Sequence, residues 1–193
     1  MKNKIYGSMD EAVADIPDGV TILSPGFSGV GVPRNLLAAL NLQGAKGLTG
    51  VSNNAGSIDE NVDIGTLVEA GQMKKMICAF TASTHPSQVT PFTRMYNNDE
   101  IEAELVPQGT LAERLRSAAA GIGGFYTPTS VGTELAEGKE HREINGRMYV
   151  LEFPLPADYA FIRAWKADTL GNVVYKGTSR NFNPVMATTA KIV

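Results

Sequence analysis

The chain has 193 residues, of which 43% are hydrophobic and 19% charged, with a formal net charge of −3. This is the composition of an ordinary globular protein that folds in water. The negative charge and the lack of any basic run exclude a sequence-independent nucleic-acid binder. No apolar run approaches the roughly 20 residues that a membrane span needs, and residues 1–4 are not followed by the apolar segment of a secretion signal. Because Cys78 is the single cysteine, no internal disulfide can form, and we expect a cytoplasmic protein.

Glycine, proline and helix-capping residues divide the first half of the chain into alternating helices and strands. Ser8, with Glu11 three residues later, predicts a capped helix, and Pro33 suits the first turn of another. Residues 75–80 are apolar at almost every position, which is typical of a strand buried on both faces of a sheet. The predicted elements are a helix at 8–16, a strand at 20–24, a helix at 34–41, a strand at 47–52, a helix at 63–70 and a strand at 75–80.

The second half continues this alternation and adds hairpins. Residues 81–98 are polar and lack a clear period, so we predict a mobile excursion or a lid with a helical piece near 88–96. The pair Asn145-Gly146 predicts a tight β-hairpin turn, and Thr110 with Glu113 predicts a capping box. The other predictions are a strand at 102–106, a helix at 110–119, a glycine-rich loop at 121–129, a hairpin at 142–151, a strand at 159–165, a turn at 168–172 that leads to a second hairpin, a helix at 181–189 and a strand from 191.

Strands that alternate with helices in this way indicate a sheet of mostly parallel strands with helices on both faces. We therefore predict the α/β class, with an open, mostly parallel sheet flanked by helices and with antiparallel hairpins added to it. No internal repeat and no linker-like stretch divides the chain, so we interpret residues 1–193 as a single domain.

Polar and glycine residues follow three of the predicted strands. The glycine-rich residues 25–29 follow the first strand, Asn53 and Asn54 follow the second, and Gln108 and Gly109 follow the fourth. The carboxyl ends of parallel strands meet at one edge, so we expect these tips to converge there and to direct backbone N–H groups at a ligand. They offer carboxamides and hydroxyls but no cation and no nucleophile, which suits binding a thioester or carboxylate and stabilising an oxyanion. Each tip alone also has an ordinary alternative, as a tight turn or a local cap.

Other kinds of site fit the sequence less well. A dinucleotide-binding fingerprint would need glycine at position 34, where Arg34 stands, and no phosphate-binding G-K-[S/T] motif occurs. His85 and His141 are far apart without cysteine or carboxylate partners at ligand spacing, so no metal site is expected. We interpret His85 as a loop residue, Cys78 as an inert core thiol and Trp165 as part of the core.

Seven motifs stand in a characteristic order at residues 18–33, 52–56, 106–114, 123–129, 164–168, 171–172 and 179–184. Together they resemble the alpha (A) subunit of the family I 3-oxoacid CoA-transferases over essentially the whole chain. The resemblance implies an open α/β fold and transfer of CoA from succinyl-CoA to an acid such as acetoacetate or 3-oxoadipate. It implies no permanently bound cofactor and no metal, with CoA and acyl-CoA as substrates.

The resemblance also implies a partner, the beta (B) subunit in an α2β2 assembly, or a fused second half in its place. In this family a glutamate of the beta subunit, in a Ser-Glu-Asn-Gly motif, attacks the thioester in a ping-pong mechanism. This chain has no such motif, and the similar residues 143–146 form a predicted hairpin turn. We therefore expect the chain to be inactive alone.

By the same resemblance, Gln108 donates its side-chain amide to an oxyanion. The residues expected to contact the substrate or its thioester are Gly26, Phe27, Gly29, Asn53, Asn54 and Gly109. Pro25 departs from the family pattern, which has glycine there, and proline has no N–H. Family members continue for some tens of residues beyond the last strand, so we expect either that the final strand is incomplete at Val193 or that the sequence has been shortened. The alternative hypothesis is a non-catalytic ligand-binding or sugar-phosphate-sensing module, for which Lys or Arg would be expected at the strand tips.

Overall fold

The computed structural model describes residues 3–57, 61–83, 85 and 87–193. The helices are α1 (Met9–Val13), α2 (Arg34–Gln43), α3 (Ile64–Glu69), α4 (Pro91–Asn97), α5 (Gln108–Ala120) and α6 (Asn183–Thr189). The strands are β1 (Thr21–Ser24), β2 (Leu48–Asn54), β3 (Met73–Phe80), β4 (Glu102–Leu105), β5 (Phe125–Thr127), β6 (His141–Ile144), β7 (Arg147–Glu152), β8 (Ala157–Ala160), β9 (Lys166–Ala167), β10 (Val173–Val174) and β11 (Ala190–Ile192).

Within these residues, six strands form one sheet in the order β11-β8-β1-β2-β3-β4, and every neighbouring pair is parallel. Successive side chains of a strand point to opposite faces. Met76 and Cys78 of β3 accordingly join the apolar cluster that packs under α1 to α4, whereas Ile77 joins the cluster under α5 and α6. The predicted parallel sheet with helices on both faces is therefore confirmed. The predicted burial of β3 is confirmed for residues 76–78, whereas Phe80 is 47% exposed.

Antiparallel strands form two smaller sheets, β5-β7-β6 and β10-β9. Asn145 and Gly146, both with positive φ (51° and 76°), form the tight turn between β6 and β7. The first predicted hairpin is thus confirmed. The second is confirmed at its turn and its second arm, but its first arm is β9 (Lys166–Ala167) and not the strand predicted at 159–165. The predicted glycine-rich loop at 121–129 is wrong in part, because Phe125–Thr127 pairs with β7 as a strand too short to be recognised by its pattern.

One predicted helix start and one predicted helix end differ from the structure. Helix α5 begins at Gln108 with Pro107 at its N-cap, and the hydroxyl of Thr110 is buried without a partner among the described residues. The capping box of Thr110 and Glu113 is therefore wrong, and Gln108 belongs to the first helical turn. Helix α1 does begin after Ser8, which accepts from the N–H of Glu11, but it ends at Val13.

The chain also leaves the sheet earlier than predicted. The predicted strand at 159–165 ends at Ala160, because the backbone N–H of Arg163 donates to the side chain of Asn183 and not to another strand. Trp165 is 58% exposed, with the Lys176 ammonium 4.1 Å from its ring centre, so its assignment to the core is wrong. Part of the predicted mobile excursion, residues 84 and 86, and the N-terminal residues 1 and 2 lie outside the described residues.

No helix in the described part of the chain has the length and apolar character needed to cross a membrane.

Candidate functional site

A crevice of about 610 Å³ opens at the carboxyl ends of β1, β2 and β3 and at the start of α5. Parallel strands bring these ends to one edge of the sheet, as expected for ligand sites in open α/β folds. The predicted site residues that line it are Gly26, Phe27, Gly29, Asn53, Asn54 and Gln108. Gly109 instead lines a shallower neighbouring groove of about 350 Å³, which Phe27 and Gln108 also border.

The closest link between two predicted site residues joins Gln108 to Asn53. The Gln108 Nε2 donates to Asn53 Oδ1 at 2.6 Å, although the two residues are 55 positions apart in sequence. Asn53 is buried at the end of β2, while Gln108 is exposed in the first turn of α5. A carboxamide carries two N–H donors, so the bond orients Gln108 and leaves its second N–H for a ligand.

The glycine loop after β1 closes on itself. Phe27 and Val30 exchange both backbone hydrogen bonds at 3.0 Å, and Ser28 and Gly29 between them have φ of 48° and 76°. Two positive φ values mark a type I′ hairpin turn. The expectation that loop amides point at a ligand is therefore wrong for Phe27 and Val30. The loop instead contributes the ring of Phe27, which is half exposed, as a wall of the crevice.

Side chains from the far end of the chain hold this loop in place. The Asn181 Nδ2 donates to the carbonyl of Val30 at 3.0 Å. The Asn183 Nδ2 donates to the carbonyls of Gly31 at 3.1 Å and Ser179 at 3.0 Å. The motif at residues 179–184, whose role the sequence did not reveal, thus positions the wall of the crevice.

Arg34 lines the crevice and was not among the predicted site residues. Its Nη1 donates to the carbonyl of Val62 at 2.9 Å, and its Nη2 donates to the carbonyl of Gly29 at 3.1 Å. The absence of a cation was expected of the strand tips, and Arg34, from the start of α2, adds one to the crevice beside them. The available signal was the position of Arg34 in the first turn of the helix that follows the loop, from which its side chain can reach back to Gly29.

The other ionisable side chain among the described lining residues is Asp63, the N-cap of α3. Its carboxylate accepts from the N–H of Ser57 at 2.9 Å, from the Ser57 hydroxyl at 2.6 Å and from the N–H of Gly65 at 2.7 Å. Three donors therefore already engage this carboxylate. Asp63 caps the helix and is a poor candidate for a nucleophile.

No histidine or cysteine occurs among the described residues that line the crevice. Cys78 is fully buried within β3, and burial raises the pKa of its thiol to about 11, as expected of an inert core residue. His85 is exposed and contacts Ser87. No cluster of three or more metal-binding side chains occurs in residues 3–57, 61–83, 85 and 87–193. The described crevice can thus bind a polar ligand and donate hydrogen bonds, but it presents no activated nucleophile.

A family model described as "Coenzyme A transferase" matches residues 6–193. The chain is 48% identical over 191 residues to the A subunit of the 3-oxoadipate CoA-transferase of Pseudomonas putida, with 99% of this chain and 80% of the relative covered. It is 47% identical over 189 residues to the A subunit of the probable succinyl-CoA:3-ketoacid coenzyme A transferase of Bacillus subtilis (strain 168), with 98% and 76% covered.

A solved structure has a similar fold. A cysteine-to-serine variant of the decarboxylase AibA/AibB matches with a TM-score of 0.81 and 26% identity, covering 100% of this chain and 74% of that one. Since that protein is named a decarboxylase, the fold alone does not specify the reaction. The reaction has to be argued from the groups that line the crevice.

Proposed function

Because this chain belongs to the coenzyme A transferase family, we propose that it is the alpha subunit of a heteromeric 3-oxoacid CoA-transferase. The proposed reaction moves CoA from a donor acyl-CoA, with succinyl-CoA as the donor, to a 3-oxo acid. Both relatives described above are named as A subunits, which implies a second type of subunit. We propose that two copies of each subunit form the enzyme and that it acts in the cytoplasm.

The observation that carries this proposal is the carboxamide pair of Gln108 and Asn53 in a crevice whose described lining presents no activated nucleophile. Such a wall stabilises charge that develops on a carbonyl oxygen but breaks no bond by itself. It therefore represents half of an active site. The complementary half must supply a nucleophile, and a partner chain is its source.

We propose that this nucleophile is a glutamate carboxylate of the beta subunit. Its oxygen attacks the thioester carbonyl carbon, CoA leaves as the thiolate, and an acyl-glutamyl anhydride forms. The thiolate then attacks the glutamyl carbonyl, which releases the donor acid and leaves a glutamyl-CoA thioester. The acceptor acid takes the CoA by the same two steps in reverse, so no external oxidant or reductant is needed.

Each attack passes through a tetrahedral intermediate with a negative oxygen. We assign Gln108 as the donor to this oxygen through the N–H that Asn53 does not use. Asn53 and Asn54 contact the substrate carboxylate or thioester through their carboxamides. The loop residues Gly26, Phe27 and Gly29, with Gly109 beside them, shape the wall that packs against the acyl group.

The proposal is tested by producing the chain together with a beta subunit and following CoA transfer from succinyl-CoA to acetoacetate and to 3-oxoadipate. We expect no transfer by the chain alone and transfer by the complex. Gln108→Ala in the complex should lower kcat by about 10²–10³-fold, the usual effect of removing one oxyanion donor. Asn35→Ala is the matched control, since Asn35 is an exposed carboxamide on α2 outside the crevice. Activity of the isolated chain, or an unchanged kcat for Gln108→Ala, would contradict the proposal.

Arg34 favours a second candidate function, a non-catalytic module that senses sugar phosphates, because it places a cation in the crevice. Calorimetric titration distinguishes the two functions. Binding of succinyl-CoA by the complex, without binding of glucose 6-phosphate, supports the transferase. Binding of glucose 6-phosphate without binding of the CoA ester supports the sensor.

A further inference from the structure

We propose that Arg34 binds the distal carboxylate of dicarboxylic substrates and thereby selects them over monocarboxylic acids. The distal carboxylate is the one that does not react with CoA, as in succinate or 3-oxoadipate. This inference rests on the proposed transferase function and names a residue that determines the specificity of the same crevice.

The guanidinium of Arg34 is held in place before any ligand arrives. Its Nη1 and Nη2 donate to carbonyls of two separate connections, the one before α3 at Val62 and the loop after β1 at Gly29. A guanidinium has five N–H donors in a planar fork, so these two bonds leave others for an anion. Because the side chain is already ordered, binding a carboxylate costs little additional conformational entropy.

No carboxylate among the described residues neutralises this guanidinium. Arg34 forms no ion pair with a described acidic side chain. The acidic residue of the described lining, Asp63, already accepts three hydrogen bonds from Ser57 and Gly65. Among the residues that the structure describes, the partners of this positive charge are neutral carbonyls, so an anionic ligand is a natural counterpart for it.

Arg34 and the carboxamide pair come from different elements of the wall. Arg34 stands at the start of α2, whereas Asn53 and Gln108 come from the end of β2 and the start of α5. Two separate polar sites suit a substrate with two polar ends. The reacting carbonyl lies at the carboxamides, and a second carboxylate binds the guanidinium. Acetoacetate and other monocarboxylic acids lack that second group.

Succinate and butyrate provide the test, because both have four carbons and butyrate has a methyl group where succinate has its second carboxylate. Each acid serves as the CoA acceptor from acetoacetyl-CoA in the alpha–beta complex, and kcat/KM is measured. In the wild type we expect succinate to be favoured by at least about 10-fold, since charge-assisted bidentate bonds are strong. Arg34→Gln should lower that preference by about 10–100-fold, and Arg34→Lys should retain part of it as a point charge.

The ratio of kcat/KM for succinate to that for butyrate, and not either value alone, distinguishes binding of the second carboxylate by Arg34 from mere support of the loop by Arg34. If Arg34 only holds Gly29 and Val62, Arg34→Gln will lower kcat/KM for both acids equally, which would overturn the inference. Equal kcat/KM values for succinate and butyrate in the wild-type complex would overturn the inference without any variant. A wild-type complex that transfers CoA to no acid would instead overturn the proposed function, and this inference with it. Asn35→Ala, next to Arg34 but outside the crevice, should leave the preference unchanged.

Discussion

The side chain of Asn183 donates from Nδ2 to the carbonyl oxygen of Gly31 at 3.1 Å, across 152 positions of sequence. Its Oδ1 accepts from the backbone N–H of Arg163 at 2.7 Å, and the whole residue is buried. One carboxamide therefore joins the crevice loop, the strand exit after β8 and the start of α6. The C-terminal part of the chain thus determines the shape of a loop near the N-terminus.

Asn183→Ala should lower the free energy of unfolding by about 1–3 kcal/mol, because it leaves the backbone groups of Gly31 and Arg163 without this partner. Urea-induced unfolding measures this change. The control is Asn35→Ala, an exposed carboxamide on α2, which should change stability by less than about 0.5 kcal/mol. Equal stabilities for the two variants would show that the Asn183 bonds do not hold the loop.

Gly31 and Gly19 are suited to a comparison of alanine substitutions, because their backbone conformations are alike and their surroundings differ. Their φ values are 77° and 80°, so alanine meets the same backbone strain of about 1–2 kcal/mol at both. A Cβ at Gly31 would lie 2.4 Å from Asn181 Nδ2 and 2.7 Å from the carbonyl of Ser179, whereas a Cβ at Gly19 would have no atom of the described residues within 4 Å beyond its chain neighbours. We expect Gly31→Ala to cost about 1–3 kcal/mol more than Gly19→Ala in urea-induced unfolding, because the backbone must shift. Similar costs would mean that the loop moves freely.

Glu104 should make stability depend on pH. Its partial burial raises the pKa of its carboxyl, but hydrogen bonds and charges from Arg114 at 2.7 Å and Lys75 at 2.9 Å outweigh burial and leave the pKa below its ordinary value of 4.5. A carboxyl group whose pKa is lower in the folded state than in the unfolded state stabilises the fold at pH values above its unfolded-state pKa. This contribution is lost as the pH falls through the folded-state pKa.

Glu104→Gln should therefore be less stable than the wild type at pH 7, by less than about 1 kcal/mol because solvent screens a partly exposed group. The difference should shrink as the pH falls below the ordinary carboxyl pKa. Urea-induced unfolding at several pH values tests this expectation. Glu113→Gln is the control, since Glu113 pairs with Arg116 on the exposed surface of α5. A difference that grows as the pH falls would contradict the assignment.

Cys78 should resist thiol reagents in the folded protein. The residue is fully buried and burial raises its pKa to about 11, so at neutral pH both access and the reactive thiolate are lacking. We expect N-ethylmaleimide to label the chain completely in urea and not at all in buffer over the same time, as measured by mass spectrometry. The single cysteine makes one adduct the complete reaction. Full labelling of the native protein would show that β3 opens readily.

Features that depend on neighbouring residues were predictable from the sequence. Ser8 caps α1, and Asn145 and Gly146 turn the hairpin between β6 and β7, as their types indicate. The proximity of Gln108 to Asn53 was also predicted in outline, because the carboxyl ends of parallel strands lie at the same edge of the sheet. The catalytic and binding roles given to these two residues stay predictions.

Features that depend on distant partners were not predictable in this way. Trp165 is of a residue type common in cores, but the chain leaves the sheet before it and its ring meets Lys176 at the surface. In the sequence, Arg34 was notable only because it occupies a position where a dinucleotide-binding fingerprint would need glycine. Its place in the crevice depends on the carbonyls of Gly29 and Val62, which only folding brings within reach.

The sequence by itself determined most of the order of strands and helices, the edge at which the polar tips meet and the motifs that resemble a CoA-transferase alpha subunit. Periodicity, turn chemistry and motif order are local properties that need no knowledge of distant contacts. Only the tertiary structure decided that the amides of Phe27 and Val30 bond each other's carbonyls, that Asn183 supports their loop and that Arg34 brings a charge to the crevice. These outcomes depend on hydrogen bonds whose geometry the folded backbone sets, and several of them join residues far apart in the chain.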